Sequence, residues 1–170
     1  MANFKTLLPK INTFVFDIDG VLSDGSILIT EKGEQLRTMS TRDGMAITMA
    51  LKKGYHIAII SGGNSQSVIH RFNYLGIKDV FLGVSDKVAV LQKYFNDKNI
   101  TSENVLYMGD DIPDYYPMKI CGVATCPKNA ATEIKTIADY ISDKDGGKGC
   151  VRDIIEQVMR CKGDWFLPKG

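Results

Sequence analysis

Apolar residues fall along this chain in short runs that end in polar or glycine-containing turns, alternating with longer stretches of helical period. Asn12 to Phe16, His56 to Ile60, Asp79 to Leu82 and Val105 to Met108 read as buried strands of a parallel sheet. Cys121 to Ala124 and Tyr140-Ile141 are candidates for smaller strands. Ser26 to Ile29 and Gln35 to Thr38 flank Thr30-Glu31-Lys32-Gly33-Glu34, which predicts a β-hairpin.

Between the strands, the period changes to that of helices. Met45 and Met49 mark one helix, with Thr41 as its predicted N-cap and Gly54 at its end. Val68, Ile69, Phe72 and Leu75 mark a second that closes at Gly76, and Val88, Leu91 and Phe95 a third capped by Ser85. A short helix is predicted from about Ala130 to Thr136, and a last one carries Val151, Ile154, Ile155, Val158 and Met159. The tail from Gly163 to Gly170 reads as irregular. Alternation of this kind predicts an α/β fold: a three-layer, Rossmann-like parallel sheet with helices on both faces. One domain is expected over 1–170, with the hairpin as a flap at about 24–40 and the tail at about 163–170.

Composition narrows the picture without changing it. With 170 residues the chain can build a core without disulfides or structural metal. Its 21 basic and 20 acidic side chains nearly cancel, so no nucleic-acid or anionic-membrane partner is expected. Cys121, Cys126, Cys150 and Cys161 form no CxxC pair, and scattered thiols suit a reducing cytoplasm. Lys5, Pro9, Lys10 and Asp17 interrupt the first apolar stretch, so a soluble, unexported, cytoplasmic chain is expected.

The candidate chemistry lies where strands end. Asp17 and Asp19 follow the first strand, Ser61-Gly62-Gly63 the second, Lys87 the third, and Gly109-Asp110-Asp111 with Asp114 the fourth. In open α/β sheets such ends share one edge, where ligands bind. Two carboxylates one residue apart repel each other unless a cation or proton lies between them. An Asp-Gly turn by itself would explain the first pair, and Ser61 or Lys87 alone needs no explanation beyond its turn. Their joint placement after successive strands describes a phosphoryl-transfer site. Clustered carboxylates supply the hard oxygens Mg²⁺ requires, an ionised Asp can attack phosphorus, and a neighbouring carboxyl can move the proton.

These motifs, Asp17-Ile18-Asp19-Gly20, Ser61, Lys87 and Gly109-Asp110-Asp111 with Asp114, resemble the four motifs of the haloacid dehalogenase superfamily. The resemblance implies that Asp17 is the nucleophile and Asp19 the general acid/base. It makes Ser61 and Lys87 phosphate binders, Gly62 a substrate contact, and Asp17, Asp110 and Asp19, the last through its main-chain carbonyl, ligands of Mg²⁺. Asp111 and Asp114 would lie in or near the metal's outer shell. The intervals from Asp19 to Ser61 and from Ser61 to Lys87 are filled by the predicted elements, leaving no cap domain.

Among capless members the chain is similar to the 3-deoxy-D-manno-octulosonate 8-phosphate phosphatases. Asp17 to Gly25 reads DIDGVLSDG, Arg42-Asp43-Gly44 matches an RDG element, and Gly146 to Gly149 resembles a GGRG segment. That resemblance implies a homotetramer whose neighbouring subunits cover each site. It implies substrate contacts from Asp19, Ser40, Thr41, Arg42, Asp43, Gly44, Arg71 and Lys87. Thr48 and Gly63 stand where familiar members carry arginine, which keeps open a phosphatase for a nine-carbon nonulosonate 9-phosphate. The same motifs would also serve a phosphomutase, or a catalytically idle module that binds a sugar acid or a partner. The tail with Trp165, Phe166 and Lys169 is expected either to lie over a neighbour's site or to be unstructured.

Overall fold

The computed structural model describes residues 4–166. Six parallel strands form its sheet: β1 (Thr13–Phe16), β4 (His56–Ile60), β5 (Asp79–Phe81), β6 (Val105–Met108), β7 (Val123–Cys126) and β8 (Tyr140–Ile141). Their spatial order is β5-β4-β1-β6-β7-β8. The chain runs outward from β1 through β4 to β5, then returns to lay β6 on the other side of β1. That reversal creates a crevice beyond the carboxyl ends of β1, β4 and β6.

Side chains alternate across the sheet, and both faces are covered, which is why the central strands are apolar throughout. Phe14, Phe16, Ile57, Ile59, Leu106 and Met108 pack in one core layer. That layer is closed by α1 (Thr41–Lys52), α2 (Gln66–Leu75) and α6 (Cys150–Cys161), whose Ile47, Phe72 and Ile155 are buried in it. Val15, Ala58, Ile60 and Tyr107 face the other way. There they meet α3 (Lys87–Lys98), α4 (Tyr115–Lys119) and α5 (Thr132–Ile137) through Leu91, Met118 and Ile134.

The hairpin forms from β2 (Leu28–Ile29) and β3 (Gln35–Leu36), paired antiparallel apart from the main sheet. Its strands carry apolar side chains in the open, with Leu28 and Ile29 each 67% exposed.

Two caps differ from expectation. Ser40, not Thr41, caps α1: its Oγ accepts from the amides of Arg42 (3.2 Å) and Asp43 (3.4 Å), which makes Thr41 the first helical residue. Asp86, not Ser85, caps α3 by accepting from the Ala89 amide at 3.0 Å. In each case the residue one position away can reach an orphan amide of the first turn. β7 also lies two residues later than expected. Gly122 precedes it because a Cβ there would collide with the main chain of Glu103.

The tail is irregular but docked as far as it is described. Trp165 is buried, with the guanidinium carbons of Arg152 and Arg160 at 5.4 and 6.0 Å from its ring. The Tyr55 hydroxyl donates to Asp164 at 2.8 Å. Trp165 therefore packs within its own chain, because a large apolar ring beside α6 gains more from burial there than from solvent. Lys169 lies outside the described residues.

Candidate active site

The loop after β1 places the first carboxylates. The Asp17 amide donates to Met108 O at 3.2 Å, continuing the β1–β6 ladder for one residue, and Asp17 Oδ1 accepts from the Ile18 amide at 2.7 Å. The chain then turns tightly, with Gly20 at φ +85°. A side chain at Gly20 would fall on the Asp110 carboxylate, so this glycine lets the acidic loop after β6 approach the loop after β1. From behind, Gly147 donates its amide to Val21 O at 2.8 Å, and Gly146 packs directly on Gly20 O. The glycine-rich segment before α6 is thus a brace for the loop carrying Asp17 and Asp19.

Lys87 opens α3 near the start of the crossover from β5 to β6 and reaches two acids at once. Its Nζ donates to Asp17 Oδ2 at 2.8 Å and to Asp114 Oδ1 at 2.7 Å. Asp114 also accepts from the Tyr107 hydroxyl at 2.8 Å and, through Oδ2, from the Asp110 amide at 3.1 Å. Asp17, Asp110 and Asp114 each offer an oxygen within 4.8 Å of the others. Asp110 Oδ1 is buried with no hydrogen-bond partner among the described residues.

These acids are poorly compensated by protein alone. Burial, then the charge of Asp114, raises Asp17 from the ordinary 3.8 to about 6, with Lys87 opposing. Burial, then the charges of Asp114, Asp17 and Asp111, raises Asp110 to about 7. Burial pulls Lys87 down, but Asp114 and Asp17 outweigh it and hold its ammonium above the usual value. Three convergent carboxylates, two of them reluctant to ionise and one with an orphaned oxygen, fit a hard divalent cation such as Mg²⁺.

A stability measurement tests the fit. Between about pH 4 and pH 7 the metal-free folded protein holds protons on Asp17 and Asp110 that the unfolded chain has released. Its stability therefore falls as pH rises through that window. Mg²⁺ should raise the melting temperature at pH 7.5 and much less at pH 5; a melt indifferent to Mg²⁺ and chelator at pH 7.5 would exclude cation binding by these acids.

Asp17, Asp19, Ser61, Gly62, Lys87, Asp110 and Asp111 all line one open cavity of about 490 Å³ at the switch point. Ser61 Oγ accepts from the Gly63 amide at 3.2 Å, which fixes the turn after β4. Asp111 caps the turn that follows it, accepting from the Ile112 amide at 2.8 Å. Asp19 stands apart from the three clustered carboxylates: Arg37 forks it, Nε to Oδ1 at 2.6 Å and Nη2 to Oδ2 at 2.9 Å.

Other predicted contacts lie elsewhere. Ser40 caps α1, Thr41 and Arg42 are exposed, and Gly44 is buried close to the Arg71 guanidinium. Asp43 is buried and accepts from the Arg152 amide at 2.7 Å, tying α1 to the start of α6. Arg71 borders a neighbouring cavity beside Arg37. Thr48 points its hydroxyl back to Gly44 O at 3.0 Å.

Sequence reading passed over Arg37 and Tyr107. Nothing local marks Arg37, which follows the hairpin and meets Asp19 only in the fold. Tyr107 carried a signal, since a hydroxyl inside an otherwise apolar buried strand requires a partner.

Fold and site together define a haloacid dehalogenase-like hydrolase, and residues 83–154 match the family model of that description. The curated 3-deoxy-D-manno-octulosonate 8-phosphate phosphatase KdsC of Escherichia coli strain B is 34% identical over 169 residues, covering 99% of this chain and 90% of its own. The solved structure of a probable YrbI family phosphatase from Pseudomonas syringae superposes with a TM-score of 0.93 at 34% identity, covering 96% and 93% of the two chains. That of the 3-deoxy-D-manno-octulosonate 8-phosphate phosphatase from Moraxella catarrhalis, in complex with magnesium ion, phosphate ion and KDO, gives 0.91 at 30% identity, covering 95% and 92%. The chain belongs to the 3-deoxy-D-manno-octulosonate 8-phosphate phosphatase family.

Proposed function

We propose that this protein is a magnesium-dependent phosphatase that hydrolyses 3-deoxy-D-manno-octulosonate 8-phosphate through an aspartyl-phosphate, serving lipopolysaccharide synthesis. The observation that carries the reading is Lys87 bridging Asp17 and Asp114 beside Asp110 in a cavity at the switch point. Asp17, Asp110 and the Asp19 carbonyl would hold Mg²⁺, with Asp114 behind them on Lys87, Tyr107 and the Asp110 amide, and the bound ion would supply positive charge against the phosphoryl oxygens. Asp17 attacks phosphorus in line with the bond to the sugar oxygen, and that bond breaks as the new one forms. Asp19 gives its proton to the departing oxygen. It then takes a proton from water, whose oxygen attacks the phosphoryl group and returns Asp17 and inorganic phosphate. Lys87 offsets charge on the transferring group, while Ser61 and Gly62 hold it at the turn after β4.

The whole chain acts as one catalytic domain with the hairpin as its flap, in the cytoplasm. A homotetramer accounts for the exposed apolar residues of the hairpin, and places the exposed Thr41 and Arg42 against a neighbouring subunit's substrate. Among the described residues no helix is long and apolar enough to cross a membrane.

The test is phosphate release from a panel of eight- and nine-carbon keto-sugar acid phosphates, with Mg²⁺ and with chelator. Chelator-sensitive turnover that favours the eight-carbon compound by at least tenfold is the expected result. Preference for a nine-carbon compound would reassign the substrate, and uniformly weak hydrolysis would overturn a dedicated biosynthetic role.

A further inference from the structure

We propose that Arg37 is a specificity-determining residue: a guanidinium latch on Asp19 that the carboxylate of an incoming sugar acid phosphate draws away. The inference rests on the phosphatase reading above and concerns a residue to which that reading gives no role.

The pair occupies both oxygens of Asp19, at 2.6 and 2.9 Å, and the remaining Arg37 nitrogen, Nη1, donates to Gln35 O at 3.0 Å. Bidentate, charge-assisted bonds of this kind fix a carboxylate firmly. Held so, both oxygens of Asp19 are engaged, Oδ1 also by the Ser23 hydroxyl at 3.3 Å, and neither is free to exchange a proton with a leaving oxygen. The latch must therefore open during turnover.

Its position says what opens it. The Arg37 side chain is 3% exposed and that of Asp19 30%. Asp19 lines the catalytic cavity, whereas Arg37 lines a second cavity of about 350 Å³ bordered also by Met39 and Arg71. Between them the ion pair lies beside Ile18, Ser61 and Val68. A Cβ at Gly63 would come within 3.3 Å of both Arg37 Nη2 and Asp19 Oδ2, so the missing side chain there leaves space for the pair. The latch is thus a partition between the place where phosphate reacts and a neighbouring cavity, lined also by Leu36 and Val68, at which Arg71 is the second cation.

A buried guanidinium stripped of its anion is costly, but exchanging one carboxylate for another keeps it paired. A substrate bringing its own carboxylate into the second cavity can make that exchange and free Asp19. A phosphate ester without one must leave Arg37 unpaired, and sites with unpaired buried polar groups reject such analogues strongly. The short hairpin that precedes Arg37, with strands of two residues each, is a light element to move.

The experiment compares kcat/KM for 3-deoxy-D-manno-octulosonate 8-phosphate with that for glucose 6-phosphate, an alkyl phosphate without a carboxylate. In R37Q the ratio of the two should fall by about ten- to a hundredfold. R37K keeps the charge without the fork and should fall between R37Q and wild type. A ratio within twofold of wild type in both variants, whatever their absolute rates or melting temperatures, overturns the latch and leaves Arg37 a structural partner of Asp19. Wild type and D17N are assayed alongside: no phosphate release by wild type from either ester would overturn the phosphatase reading and turnover by D17N the role of Asp17, whereas an active wild type and inactive D17N with unchanged R37Q and R37K ratios sink the latch alone.

Discussion

Replacing Asp17 with Asn should lower turnover by about 10⁴-fold or more, the scale seen when a nucleophile is removed from a preorganised site. The amide has the shape of the carboxylate but no charge with which to attack phosphorus. The fold should survive. Asp17 is buried, its charge is opposed by that of Asp114, and its own ionisation is disfavoured up to about pH 6. Lys87 keeps Asp114 as a partner when Asp17 is neutral. Metal-free D17N should therefore melt at or above the wild-type temperature at pH 7.5, while single-turnover phosphate release is lost. Turnover within tenfold of wild type in a purified variant would remove Asp17 from the nucleophile's place.

Replacing Lys87 with Met should have the opposite profile, damaging stability as much as chemistry. The ammonium is almost wholly enclosed and bonded to two carboxylates, with a third close by. Taking one partner from a buried ion pair costs about 3–5 kcal/mol, because the remaining charges stay desolvated and uncompensated. At neutral pH metal-free K87M should lose stability on that scale in denaturant titrations. Two conditions should return part of it. Lowering the pH to 5 lets the acids take up protons, which removes their mutual repulsion. Adding Mg²⁺ supplies a cation to the same oxygens. A loss that neither acid nor Mg²⁺ reduced would mean that Lys87 supports packing and not charge. Phosphate hydrolysis should stay impaired even where stability recovers, since the variant has no cation at the start of α3.

The two variants separate roles that share atoms. Asp17 and Lys87 touch each other, yet one removes a charge the fold resists and the other removes the charge that makes the resistance tolerable. The Asp114 carboxylate is common to both. It accepts from Lys87, Tyr107 and the Asp110 amide, so it links the ends of β6 and α3 through one side chain.

Much of this architecture is written locally. The apolar runs ending in Asp17, Ser61 and Gly109 need no tertiary information to be read as strands with reactive ends, because a run buried on both faces has no polar positions to hide. Val105–Met108 and His56–Ile60 form strands with the boundaries those runs predict. The same holds for the last helix, whose five predicted apolar positions are all buried. Boundaries set by a single hydrogen bond were less legible. Ser40 and Thr41, or Ser85 and Asp86, are equally good caps on paper, and only the path of the entering chain decides which oxygen reaches the amide.

What the sequence by itself determined was the order of strands and helices, the acids and the lysine at strand ends, and hence the chemistry available there. Periodicity and turn residues act over a few positions, and that is the range over which a sequence can be read directly. Only the tertiary structure decided which of those charges meet. It set Asp114 among the clustered carboxylates, Tyr107 beneath it, Gly146 behind the loop of Asp17, and Arg37 on Asp19 across 18 residues. Such meetings depend on how the sheet reverses at β1 and how closely glycines let loops approach, and at Arg37 neither leaves a mark.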